Sequence, residues 1–149
     1  EPSLFQRGDC AVMVFRDEEL SFRQLASESC DQGVTWTTPV LTDMPDARAK
    51  QSAGNLPDGT AYLVNAPNSA RPRMPLAVTL SRDGTMFDRS FLLRGAGELQ
   101  PLRYEGQYKR PGYHYPKSIL WNGWLYVGYA TNKEDVQVTR VPLSSLVPY

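Results

Sequence analysis

Histidine and cysteine are scarce in this sequence, and neither sign of charge is in excess. His114 is the only histidine, which excludes a multi-histidine metal site within the chain, and we expect neither a metal nor a cofactor. Sixteen basic residues balance sixteen acidic ones, which removes the strongest compositional argument for a nucleic-acid partner or an anionic membrane surface. Any recognition of anions is therefore expected to be local.

Long apolar runs are also missing. None approaches the roughly 20 residues of a membrane-spanning helix, so no membrane span is predicted, and no charged-then-apolar signal segment follows Glu1. Cys10 and Cys30 are one possible disulfide pair, but they could equally be reduced core thiols. Because buried free thiols are common, the reduced state is the favoured expectation.

The pattern that is present has period two and predicts an all-β fold. No window of a dozen residues keeps helical periodicity without an interrupting proline or glycine, and the chain has 12 prolines and 11 glycines. Alternating or short apolar runs bounded by turn residues predict strands. These runs cover residues 4–6, 11–16, 22–29, 36–41, 61–65, 76–81, 87–93, 118–121, 124–130 and 136–141.

Three short turns predict β-hairpins within this pattern. Asp58-Gly59 and Asn122-Gly123 each precede a strand-like run, and glycine supplies the positive φ that such turns require. Gly8-Asp9 is a third, less regular example. Hairpins that recur along the chain suggest an internal repeat.

The repeat contains a short motif with a physical role in a turn. Residues 29–36 fit the pattern S-x-D-x-G-x-x-W, and residues 81–87 are a copy that is one residue shorter. The aspartate can accept hydrogen bonds from backbone amides, the glycine permits the turn, and the aromatic residue packs between strands. We predict that both motifs stabilise the fold and take no part in chemistry.

These motifs resemble the Asp-boxes, or BNR repeats, of sialidases and related β-propellers. The resemblance implies about three four-stranded antiparallel blades, at residues 1–43, 49–94 and 113–143, with the last blade incomplete. A propeller needs at least four blades, so the expectation is the C-terminal half of a ring with six blades. The missing N-terminal blades, or another copy of the chain, would close that ring.

The resemblance also assigns candidate site residues. Sialidases bind a substrate carboxylate with an arginine cluster, since the guanidinium fork matches a carboxylate, and use a tyrosine as nucleophile. Arg16 at the end of a strand and Arg73 before the second Asp-box match arginines of that cluster, and Arg71 is a close rival of Arg73. Tyr115 aligns with the nucleophile, and Glu1 with the base that takes its proton.

Two further residues are candidates for contact with a substrate acid group. Arg48 precedes the first strand of the second blade, and His114 could be a general acid or a substrate donor. Each candidate also has a structural alternative as a solvated charge or a packed side chain. Residues 132–135 are interpreted as an exposed turn. Pro116 stands where sialidases usually have serine, and the first arginine and catalytic aspartate of the family belong to N-terminal blades.

The function that the resemblance implies is an exo-acting glycoside hydrolase that cleaves a terminal acidic sugar from a glycan, inactive as this chain alone. A second interpretation is a non-catalytic propeller that binds glycan or protein through its tyrosines. A third is a polysaccharide lyase, in which a tyrosine or histidine removes a proton next to a uronic acid carboxylate. The resemblance alone favours a secreted or periplasmic location.

Overall fold

The computed structural model describes residues 1–146 and consists of three antiparallel β-sheets, which confirms the all-β prediction. Each sheet is built from strands that are consecutive in the chain, with neighbours joined by hydrogen bonds. The first sheet contains β1 (Ser3–Arg7), β2 (Cys10–Arg16), β3 (Arg23–Ser29) and β4 (Val40–Pro45). The second contains β5 (Ser52–Asn55), β6 (Ala61–Asn65), β7 (Leu76–Ser81) and β8 (Arg89–Arg94). The third contains β9 (Tyr113–Trp121), β10 (Trp124–Thr131) and β11 (Asp135–Pro142).

The third sheet has three strands within the described residues, in the order β11-β10-β9, so the last blade is incomplete as expected. After β11 a single 3-10 turn, Leu143–Ser145, follows, and a second one, Ala96–Glu98, lies after β8. The predicted hairpins are present. Gly59, with φ +93°, connects β5 to β6, and Gly123, with φ +81°, connects β9 to β10.

The three sheets pack face to face, and the second sheet lies in the middle. Every residue of β6 and β7 is buried, as expected for strands covered on both faces. One apolar cluster joins the second and third sheets and includes Val78 and Leu125. Another joins the first and second sheets, where the rings of Phe5 and Phe87 meet edge to face at 5.5 Å.

The first strands of the sheets lie next to one another near a shared centre. The Oγ of Ser3 on β1 accepts a hydrogen bond from the backbone N–H of Ala53 on β5 at 2.7 Å. The hydroxyls of Ser52 on β5 and Ser118 on β9 are 2.7 Å apart. These contacts give the radial arrangement of neighbouring propeller blades.

The two Asp-boxes occupy equivalent turns, between β3 and β4 in the first sheet and between β7 and β8 in the second. Asp31 accepts hydrogen bonds from the backbone N–H and the hydroxyl of Thr35, at 2.8 and 2.6 Å. Asp83 likewise accepts from the backbone N–H groups of Thr85 and Met86, at 2.8 and 3.0 Å. Both carboxylates thus close a tight turn at the same position of neighbouring sheets.

Some strand bounds differ from the prediction. The fourth strand of the first sheet is Val40–Pro45 instead of residues 36–41, because residues 31–35 form the Asp-box turn and residues 36–39 belong to no strand. Ser52–Asn55 was not predicted, since its small and polar residues give no apolar alternation. β9 begins at Tyr113, five residues before the predicted start, and therefore includes Tyr115.

Cys10 and Cys30 form a disulfide, so the expectation of reduced thiols was wrong. Their neighbours Ala11 and Ser29 are partners in the register of β2 and β3, which places the two cysteines opposite each other. Glu28 lies beside the two sulfur atoms, but sulfur atoms joined in a disulfide are not available as thiolate ligands for a metal. Among residues 1–146, no helix has the length and apolar character needed to cross a bilayer.

Candidate functional site

All candidate residues lie at one end of the sheets. In an antiparallel meander the start of the first strand, the end of the second, the start of the third and the end of the fourth share one end. The Asp-box turns between third and fourth strands are at the opposite end. The strand bounds therefore bring to one rim Glu1, Arg16, Arg48, Arg71, Arg73, His114 and Tyr115.

Glu1, Arg16 and Arg48 belong to one chain of charged groups. Arg16 ends β2, and its Nη2 donates a hydrogen bond to the carboxylate of Glu1. The Nε of Arg16 lies 3.1 Å from one oxygen of Glu18, and Nη2 of Arg48 lies 3.1 Å from the other. Glu18 therefore links the two arginines, and the side chain of Arg16 is mostly buried.

A second group contains Arg73, His114 and Tyr115. Arg73 Nη1 lies 3.1 Å from His114 Nδ1, and the guanidinium carbon lies 5.5 Å from the centre of the Tyr115 ring. The loop that carries Arg73 is fixed to β9, because the N–H of Tyr113 donates to the Arg73 carbonyl at 2.8 Å. Gly112 permits this approach, since a Cβ there would lie 2.7 Å from that carbonyl oxygen.

His114 is fully buried, with 0% of its surface exposed. Its Nε2 lies 2.9 Å from the carbonyl of Arg110, which can only accept, so Nε2 carries the proton and Nδ1 accepts from Arg73. Burial, with the nearby charges of Arg73 and Lys133, lowers the pKa of His114 from 6.5 to about 4. At neutral pH the ring is therefore uncharged, and both nitrogens are engaged within the protein.

Tyr115 is 42% exposed and has a φ of 55°, a left-handed conformation that is unusual for a bulky residue. The pKa of its phenol is lowered, first by interaction with the ammonium group of Lys133 and then by Arg73, against the opposing effect of partial burial. The Lys133 Nζ lies 5.4 Å from the ring centre. A partly accessible phenol thus has two cations beside it.

Lys133 was missed by the sequence analysis, which interpreted residues 132–135 as an exposed turn. The turn is present and Asp135 is exposed, but the prediction of exposure was wrong for Asn132, which is buried, and for Glu134, whose side chain is only 3% exposed. The Oδ1 of Asn132 accepts from the N–H of Gly112 at 3.0 Å, and its Nδ2 donates to the carbonyl of Gln100 at 2.7 Å. The turn is therefore tied to the segment that leads into β9.

The two groups of candidates approach each other through Lys50. Its Nζ donates to the carbonyl of Pro116, the residue after Tyr115, at 3.2 Å, and its pKa is lowered by burial and Lys117, although Glu1 acts in the opposite direction. The Glu1 carboxylate itself is hydrogen-bonded to Arg16 and not to Tyr115. Arg71 is exposed, with no hydrogen bond or ion pair to any other residue within 1–146.

A buried polar cluster, which the sequence did not reveal, lies next to these candidate residues at the ends of β4 and β6. Asp46 follows β4, is fully buried, and accepts from the N–H of Ala49 at 2.9 Å and from Nδ2 of Asn65 at 3.2 Å. Burial raises the pKa of its carboxyl. These bonds join the ends of β4 and β6 and hold the segment that carries Arg48.

Residues 1–127 match the family model described as a BNR repeat-like domain. The structure is similar to a solved structure described as a sialidase, with a TM-score of 0.78 and 31% identity over 95% of this chain and 13% of that chain. It is also similar to the NanB sialidase from Streptococcus pneumoniae, with a TM-score of 0.71 and 15% identity over 97% of this chain and 23% of that chain. A leech intramolecular trans-sialidase gives a TM-score of 0.72 and 15% identity over 98% of this chain and 24% of that chain. A search of curated protein sequences gives no significant match.

Proposed function

Because this chain belongs to the BNR repeat-like family and has a sialidase-like fold, we propose that it supplies part of the active site of an exo-acting glycoside hydrolase. The substrate would be a glycan with a terminal acidic sugar. This chain spans between 13% and 24% of the sialidase chains it resembles. The proposal therefore includes a ring completed by further blades or by a second copy of the chain.

The observation that carries the proposal is the contact between Arg73 and Tyr115. An arginine beside a partly exposed tyrosine allows one substrate to present its carboxylate to the guanidinium and its anomeric carbon to the phenol oxygen. Arg16 and Arg48 lie on the same rim, but Glu1 and Glu18 pair with them, so the carboxylate of the substrate is assigned to Arg73. The role of Arg71 would be limited to weak attraction, because it is exposed.

In the proposed reaction the Tyr115 oxygen attacks the anomeric carbon while the bond from that carbon to the leaving oxygen breaks. The phenol proton must leave, and Glu1 can accept it only if its carboxylate turns away from Arg16. The leaving oxygen must gain a proton from an acid, which the family resemblance assigns to N-terminal blades. Water then releases the sugar from the tyrosine.

The test uses the full-length protein and fluorogenic sialosides, uronides and rhamnosides. We expect turnover of an acidic glycoside by the wild type and a loss of at least about 10³-fold in the Tyr115→Phe variant, because the covalent route loses its nucleophile. Tyr126→Phe, on the next strand, is the matched control. Equal activity of wild type and Tyr115→Phe would remove the nucleophile assignment.

A second candidate function is glycan binding without turnover. It is favoured by two tyrosines in the segment before β9, Tyr104 and Tyr108, which are 67% and 79% exposed and offer rings for stacking against sugars. Saturable binding of an acidic oligosaccharide by a protein that cleaves none of the substrates would support this alternative. An unsaturated product that absorbs in the ultraviolet would instead identify a lyase.

A further inference from the structure

The turn 131–135 places a cation beside Tyr115 through an unusual backbone. Asn132 and Lys133 both have a φ of 56°, and Tyr115 has a φ of 55°. Left-handed conformations in residues other than glycine cost free energy, and asparagine tolerates them better than lysine or tyrosine does. Lys133 on the turn and Tyr115 on the strand both adopt this conformation and contact each other. We infer that the surrounding structure imposes their contact.

Side chains of the turn on both sides of Lys133 are hydrogen-bonded to residues elsewhere in the chain. The Asn132 side chain bonds to Gly112 and Gln100, as described above. The carboxylate of Glu134 accepts hydrogen bonds from the N–H of Tyr104 at 2.8 Å and from Lys109 Nζ at 2.6 Å. These contacts fix the backbone on both sides of Lys133, so that its side chain has a defined direction.

The ammonium group of Lys133 lies between a backbone carbonyl and the ring of Tyr115. Nζ donates to the carbonyl of Tyr108 at 2.9 Å and lies 5.4 Å from the Tyr115 ring centre. Among the residues that the structure describes, no carboxylate forms a salt bridge with Lys133, whereas Glu134 pairs with Lys109 and Arg103. Within residues 1–146, the positive charge next to Tyr115 therefore has no carboxylate paired with it.

None of the other groups described around Tyr115 is a free carboxylate that could take the phenol proton. His114 precedes it and is neutral, Arg73 faces it from the loop before β7, and Lys50 bonds to the carbonyl of Pro116. Lys117 follows on the same strand. Glu1 is bound to Arg16. Within residues 1–146, the charged groups that contact the Tyr115 ring are thus cations.

We propose that Lys133 activates Tyr115 by stabilising its phenolate, a role that differs from proton removal by a carboxylate. This inference rests on the proposed function, in which Tyr115 is the nucleophile. The phenol proton leaves to solvent or to a base, and Lys133 keeps its own proton and supplies only charge. A phenolate held beside Lys133 and Arg73 is neutralised without a negative group that would repel an anionic substrate.

The first measurement is the ionisation of Tyr115 in the full-length protein, obtained from the ultraviolet difference between the wild type and Tyr115→Phe across a pH titration. We expect the Tyr115 transition to shift to higher pH in Lys133→Gln, which keeps a side-chain donor but removes the charge. Lys133→Arg retains the charge and should retain the transition. Lys117→Gln removes a charge from the same strand and should shift the transition less than Lys133→Gln does, because the structure places Lys133 and Arg73 against the Tyr115 ring.

The second measurement is the pH profile of kcat/KM on the acidic glycoside. We expect Lys133→Gln to lose on the order of 10²-fold at neutral pH, as for removal of one preorganised electrostatic partner, and to recover part of this loss as the pH rises. If Lys133→Gln does not fold, the wild type remains informative. Raising salt to 1 M should then shift its Tyr115 transition upward, because screening weakens charges near a partly exposed group.

The outcomes separate this inference from the proposed function. A Tyr115 transition that stays unchanged in Lys133→Gln, or in wild type at high salt, would overturn the role of Lys133 even if Tyr115→Phe is inactive. A transition that moves as expected in a protein with no turnover would confirm the electrostatic pair and contradict the hydrolase proposal instead.

Discussion

The Arg73 guanidinium donates a hydrogen bond to Nδ1 of His114, with 3.1 Å between the two nitrogens. Nε2 of the same ring donates to the Arg110 carbonyl, so that one buried, neutral imidazole joins the loop before β7 to the segment before β9. Side chains held by buried partners of this kind keep their rotamers. His114 therefore acts as a support for Arg73, and it has no free nitrogen to offer a substrate.

Acidification should destabilise the fold between about pH 6.5 and pH 4 through His114. Its folded pKa of about 4 lies below its ordinary value of 6.5, so the unfolded chain binds a proton in this window that the folded chain excludes. Stability from this group is complete above pH 6.5 and falls by about 3 kcal/mol down to pH 4. Urea unfolding at a series of pH values measures it.

The control for this prediction is His114→Gln, which keeps hydrogen-bonding capacity without a titrating ring. Since the chain has one histidine, its free energy of unfolding should change less between pH 6.5 and pH 4 than that of the wild type. An equal slope for the two proteins would show that His114 is accessible to protons in the folded state.

Arg73 and Arg71 should differ sharply in their effect on activity. Arg73 contacts His114 and Tyr115, whereas Arg71 is exposed. We expect Arg73→Gln to lower kcat/KM on the acidic glycoside by about 10²-fold or more. The variant removes the cation that pairs with the substrate carboxylate, and truncating one partner of such a hydrogen-bonded charge pair costs roughly 2–5 kcal/mol. Arg71→Gln should stay within about twofold of the wild type. Comparable losses in both variants would contradict the assignment of Arg73.

The strands that the sequence predicts well are those in which burial follows the local alternation of side chains. Trp124–Thr131 alternates between buried and half-buried positions over its length and was identified to within one residue. Ser52–Asn55 could not be found in this way, because its strand is specified by its partners. A Cβ at Gly54 would lie 2.6 Å from the Tyr62 hydroxyl, so the glycine there serves a contact from the neighbouring strand.

The residues of the candidate site also differ in whether a local sequence pattern predicts them. The arginines and Tyr115 were predicted as candidates because their order along the chain resembles that of a known family. Lys133 was missed because Asn-Lys-Glu-Asp has the composition of a solvated turn, and the bonds that bury its neighbours reach Gln100, Gly112 and Tyr104. Contacts that span tens of residues leave no periodic signal in the turn itself.

Removal of the disulfide should cost stability without changing the site. Cys10 and Cys30 close a loop with a sequence separation of 20 at the Asp-box end, away from Tyr115. Loop-closure entropy for this length corresponds to about 3 kcal/mol. We expect the Cys10→Ser, Cys30→Ser double variant to have a lower Tm and an unchanged KM. A changed KM at a temperature where the variant is fully folded would contradict the separation of disulfide and site.

The Asp-boxes should likewise affect stability and leave chemistry alone. Asp31 accepts three hydrogen bonds, from the hydroxyl and the N–H of Thr35 and from the Ser29 hydroxyl, and these lower its pKa to about 2. Its contribution is present above its ordinary pKa of 3.8 and is lost as the pH falls toward 2. Asp31→Ala should therefore lower Tm at pH 7 and reduce the further drop of Tm between pH 4 and pH 2.

The matched control for Asp31→Ala is Asp58→Ala. Asp58 is also in a tight turn at that end, where one of its oxygens accepts from the N–H of Thr60 at 2.9 Å. With one hydrogen bond against three, Asp58→Ala should have the smaller effect on Tm. Both variants should retain wild-type kcat/KM where they are folded. A loss of activity in Asp31→Ala without a loss of stability would place chemistry at the Asp-box, against the geometry of a carboxylate whose hydrogen bonds all lie within its own turn.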